Sequence, residues 1–167
     1  MPRKLNNKED AVQPMVVESP EQATGEIPVN HFANIVLNGK AKKLSQQTEN
    51  KVFYELAVHD VLNAMYLRLS GNEGGGLHSK EWIALEDIFA VLDSQKSKPF
   101  KSTVLKSVFK GGSANNVGFL AACLRDIALT IPAGKAMFLH TLAPEYEQRC
   151  NELRSLVSGV SNKRKSA

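Results

Sequence analysis

Hydrophobic periodicity predicts an all-α fold, a compact bundle of five or six helices with disordered N- and C-terminal tails. Three observations lead there. Apolar residues recur at three- and four-residue spacing from about residue 47 onward, period-two alternation is nearly absent, and glycine or proline separates the periodic runs. A chain of 167 residues with 43 % hydrophobic content fills one core and hardly two.

Residues 1–28 hold Pro2, Pro14, Pro20 and Pro28 around a brief apolar patch at Met15, Val16 and Val17, too little to offset ordering entropy, so a disordered arm is expected. Residues 29–46 are ambiguous. Asn38-Gly39 suits a type I′ hairpin turn, yet Asn30 and Gly39 equally suit the two ends of one helix. The scarcity of β-branched residues in 40–44 favours the helix.

A helical domain is expected over 47–159. Thr48 is placed to cap a long helix reaching Leu69, with Val52, Phe53, Leu56, Ala57, Val61 and Met65 around most of it and Lys51, Glu55, His59 and Asn63 tracing one polar line. Four glycines within 71–76 form a flexible loop. Ser79 caps a second helix whose Trp82, Leu85, Ile88, Phe89 and Leu92 share a side. A third follows Pro99, with Val104, Leu105, Val108 and Phe109 opposing Lys106 and Lys110. Gly111-Gly112 separates it from a fourth over 117–131, apolar nearly all round and so expected to be buried. Pro144 opens the last helix, which carries the stripe Tyr146, Cys150, Leu153 and Val157 and is expected to end at Gly159, leaving 160–167 as a basic disordered tail.

Charge is segregated. Residues 94–144 hold seven Lys/Arg against one acid, whereas residues 1–93 hold nine against thirteen. The middle stretch therefore supplies the candidate site, a nucleic-acid-binding surface built from Lys96, Lys98, Lys101, Lys106 and Lys110.

No catalytic set and no metal or cofactor motif is legible. His31, His59, His78 and His140 are scattered without ligand spacing. Glu55 and His59 read as an ordinary i, i+4 pair. The glycine loop lacks the Lys-Ser/Thr of a phosphate cradle, and Ser79 beside His78 reads as a helix cap. Helix, Gly111-Gly112, helix has the outline of a helix-turn-helix, but its second helix is too apolar to meet base edges and is expected to be core.

The sequence thus leads to a non-enzymatic nucleic-acid-associated accessory or regulatory protein that binds backbone phosphates through a lysine-rich helix face. The alternative is a protein-binding adaptor, or a homo-oligomer, joined through apolar helix faces at 117–131 or along the Tyr146 stripe. No cofactor and no membrane partner is expected, because no apolar run approaches a span. Cys123 and Cys150 fall among apolar positions and read as reduced thiols, which suits a cytoplasmic or nuclear setting.

Overall fold

In the computed structural model, which describes residues 28–166 with side chains through Val160, residues 34–84 build an antiparallel sheet. Strands β1 (Asn34–Lys42), β2 (Lys51–His59), β3 (Ala64–Asn72) and β4 (Ile83–Ala84) pair in that order. A second antiparallel sheet, in the order β5-β7-β6, joins β5 (Phe100–Lys101), β6 (Thr130–Pro132) and β7 (Leu139–Leu142). The described helices are α1 (Leu85–Gln95), α2 (Asn116–Asp126) and α3 (Tyr146–Ser166), with a 3-10 helix over Ser102–Val108.

The all-α expectation is therefore overturned: the fold is mixed α/β. The long helix expected from Thr48 to Leu69 is the β2–β3 hairpin. Val52, Tyr54, Leu56 and Val58 on β2, with Met65, Leu67 and Leu69 on β3, are buried at every second position. That alternation is veiled because the opposite face carries Phe53, Ala57, Ala64 and Tyr66, so the strands look apolar all round. The turn is made by Asp60, Val61, Leu62 and Asn63. His59 Nδ1 accepts the Val61 and Leu62 amides at 3.2 and 3.0 Å, and Asn63 takes φ 52°, a left-handed conformation that asparagine tolerates.

Residues 29–46 are corrected too. Asn38-Gly39 is neither a turn nor a helix end but the middle of β1, paired with Glu55 and Tyr54. Glycine is needed there because the Tyr54 ring lies across it, in the space a Cβ would take.

The helices cover one face of the first sheet. On α1, Leu85, Ile88, Phe89 and Leu92 are buried at helical spacing. Ser79, placed by the sequence as its cap, instead donates to Glu81, and the helix starts six residues later at Leu85. The third expected helix tightens to the 3-10 segment. The fourth ends at Asp126 rather than 131, and its Leu120, Ala121, Ala122, Cys123 and Leu124 are core, as its apolar circumference suggests. Arg149 Nε caps that end by donating to the Ile127 carbonyl at 2.7 Å, which ties α3 to α2. Tyr146 ties α3 to α1 through its hydroxyl bond to Asp93, 2.7 Å.

Gly159 lies inside α3, whose backbone stays helical to Ser166 where a disordered tail was expected. The expectation for the arm at 1–28 falls almost wholly outside the described residues. From His31 onward the chain is one compact unit. Cys123 and Cys150 are free and buried. Among the described residues no helix is long and apolar enough to cross a membrane.

Candidate nucleic-acid interface

Helices pack on the face of the first sheet that carries Val52, Tyr54 and Leu56, and the alternation of the strands sends the other set of side chains to an open face. Residues directly opposite in an antiparallel pair share a face. The register therefore places Lys42 against Lys51, Lys40 against Phe53 and Asn38 against Glu55, while Gly71, Arg68 and Tyr66 of β3 flank Phe53, Glu55 and Ala57 from the other side. Lys40 and Lys42 are exposed, and Lys51 and Phe53 are half-buried.

Two halves of this face differ in chemistry. Near the β2–β3 turn the surface is aromatic and self-packed. Phe32 stacks on Trp82 with centroids 4.5 Å apart and planes 11° apart, and meets Tyr66 and His59 edge-on. The Arg68 guanidinium lies over Trp82 at 4.4 Å while its Nε donates to Glu55 Oε1 at 3.1 Å, which cancels that carboxylate.

At the far end the surface is cationic. Lys40, Lys42 and Lys51 form no ion pair with a described residue. Glu73, which follows β3, turns its carboxylate to the Lys51 backbone amide at 2.8 Å rather than to the ammonium. Opposite Lys40 on this face, the Phe53 ring lies against Gly71, where an added Cβ would sit 3.4 Å from it.

The five lysines singled out by sequence are all exposed and are spread over successive segments, from the end of α1 to the loop after the 3-10 helix. Lys96 is the C-cap of α1 and faces a groove with Asp93, Glu145 and Glu147. Lys98 is in the following loop and Lys101 on β5, at the rim of a different, apolar groove lined by Val117 and Phe138. Lys106 lies in the last turn of the 3-10 helix. Lys110 adjoins Glu81, which accepts the Lys110 and Gly111 amides at 2.9 and 3.0 Å. The apolar helix faces named as a protein interface are largely consumed by the chain's own core, since Leu120, Leu124, Tyr146, Cys150 and Leu153 are all buried.

Two clusters imitate catalytic or metal chemistry. Ser102 Oγ lies 2.7 Å from His140 Nε2 in the interior, the geometry of a nucleophile and its base. Arg125 reverses that reading. Its Nε and Nη2 point at His140 Nδ1 from 3.2 and 3.1 Å, and a guanidinium only donates, so Nδ1 accepts and the ring proton sits on Nε2. His140 therefore donates to Ser102 and has no lone pair to offer it. Burial, then the Arg125 charge, pushes its pKa down to about 4. The three residues clip β7 to the start of the 3-10 helix and to α2.

His31, His59 and Asp60 bring three ligand atoms within 4.8 Å of one another at the β2–β3 turn. His59 Nδ1 is already occupied by the two turn amides, which leaves its proton on Nε2. The His31 and His59 rings lie parallel, 14° apart, so their nitrogens do not converge on a tetrahedral centre. His31 Nδ1 bonds Asp60 at 2.8 Å, and that hydrogen bond holds the carboxyl below its ordinary pKa. The cluster fits a turn clasp better than a metal site.

The sequence signal for the cationic face was present but short. Lys40 and Lys42 are two residues apart, which puts both on one side of a strand and on different sides of a helix. No protein-family model, characterised protein or solved structure matches this chain, so its function has to be argued from these side chains.

Proposed function

We propose that this protein binds nucleic acid on the open face of its first sheet, with Lys40, Lys42 and Lys51 neutralising backbone phosphates. The observation that carries this reading is Lys42 directly opposite Lys51, with Lys40 two residues along β1 on the same face. Like charges opposed across a strand pair destabilise the sheet, and neither ammonium forms an ion pair with a described carboxylate, the neighbouring Glu73 being bound to the Lys51 amide. A polyanion removes that repulsion on binding, and counterion release adds a salt-dependent driving force. Arg68, already paired with Glu55, would extend the track by way of its remaining donors.

The test is fluorescence anisotropy of a labelled oligonucleotide between ~50 and ~200 mM salt. Three phosphate contacts give a slope of log affinity on log salt of about −2 to −3, and removing one lysine lowers its magnitude by about one. Lys42→Glu with Lys51→Glu is expected to abolish binding at ~50 mM salt. Retained binding in that double variant would sink the proposal.

A further inference from the structure

Resting on that reading, we infer that the ligand is single-stranded and that one of its bases stacks on Phe53. A duplex hides base faces and offers a protein phosphates and groove edges. Single strands expose those faces, and aromatic side chains beside cations are the surface that rewards them. Four aromatic rings lie on or beside this sheet face, and three of them, Phe32, Tyr66 and Trp82, are spent on one another. Phe53 is different. It makes no ring–ring contact with a described residue, its cross-strand neighbour on β1 is Lys40, and its neighbour on β3 is Gly71, which has no side chain to lay over the ring.

The result is a half-buried ring backed by glycine and bordered by a cation. Lys42 and Lys51 lie two residues further along their strands, roughly 7 Å away at the usual strand rise. A phenylalanine in that setting gains little from burial compared with the Val52 and Tyr54 that flank it, both nearly inaccessible. Stacking with a base, while the lysines take the flanking phosphates, uses the ring and the charges together. No described α-helix is free on this face to enter a major groove: α1 and α2 turn their apolar residues into the core on the opposite side of the sheet.

The experiment compares a labelled oligothymidylate, the matching oligouridylate, a duplex of equal length and polyglutamate as competitor, all with the full-length chain. The single strands are expected to bind at least tenfold tighter than the duplex, and polyglutamate to compete poorly. Phe53→Leu keeps an apolar side chain but loses stacking, so affinity for single strands should fall about tenfold while the salt slope stays unchanged. Phe53→Tyr should restore it. The relative affinities for the two single strands tell DNA from RNA as the preferred source of the bases.

Equal duplex and single-strand affinity, an unaffected Phe53→Leu variant, or full competition by polyglutamate would overturn the inference while leaving salt-dependent binding, and hence the phosphate reading, in place. Absence of any binding at ~50 mM salt would remove both.

Discussion

Tyr54 crosses Gly39 and anchors beyond it: the ring occupies the space a side chain at 39 would need, and its hydroxyl donates to Asp126 at 2.6 Å. One tyrosine thus joins β1, β2 and the C-terminal end of α2. Gly39→Ala drives a methyl group into that ring, and overpacking of this kind costs about 1–3 kcal/mol. Chemical denaturation should show a lowered midpoint. The double variant with Tyr54→Leu, which vacates the space, should recover part of the loss that either change produces alone.

Stability should fall with acid in a window set by His140. Its folded pKa of about 4 lies below its ordinary 6.5, so on acidification the unfolded chain takes up the proton first. The neutral-histidine contribution is complete above about 6.5 and drains away as pH falls towards about 4, a loss of up to about 3 kcal/mol. Urea midpoints taken across that range should slope steeply for the native chain. His140→Asn should flatten the slope and lower stability at neutral pH, and an unchanged slope would argue against the neutral, donating imidazole.

Charge reversal at Lys42 should separate binding from folding. With Glu opposite Lys51 a repulsive cross-strand pair becomes attractive, a gain of about 0.2–1 kcal/mol. The Lys42→Glu variant is therefore expected to melt at or slightly above the native temperature while oligonucleotide affinity falls. A drop in both would make the lysine structural.

Lys96 offers the complementary control. It caps α1 at φ 57°, ψ −133°, a backbone conformation that glycine adopts freely and lysine does not. Lys96→Gly should raise the denaturation midpoint by about 1 kcal/mol of stability. It should leave oligonucleotide affinity unchanged, because Lys96 lines a groove with Asp93, Glu145 and Glu147 and is not part of the sheet.

The residues around the proposed site show why a count of charge along the chain misses the sheet face. Counting charge along the chain favours 94–144, where acids are scarce, and passes over residues 1–93, which sum to a negative value. Three lysines of that acidic half nevertheless meet on one face, because β1 and β2 are antiparallel and the register opposes 42 to 51. Several of the described acids of this half are engaged: Glu55 with Arg68, Asp60 with His31, Glu73 with the Lys51 amide, and Glu81 with the Lys110 and Gly111 amides.

What the amino-acid order alone determined is what local hydrogen bonding completes. The interior helix through Leu120 and Leu124, the α1 stripe from Leu85 to Leu92, and the start of the last helix just after Pro144 are each specified by side chains within four residues of one another. Tertiary structure decided the rest. A strand's partners lie on other segments, so no window of the chain reveals that Tyr54 needs a glycine at 39, that Arg125 fixes the proton of His140, or that Lys40, Lys42 and Lys51 share a face with Phe53. Those relationships exist only once the backbone carbonyls and amides of distant strands have paired and fixed the register.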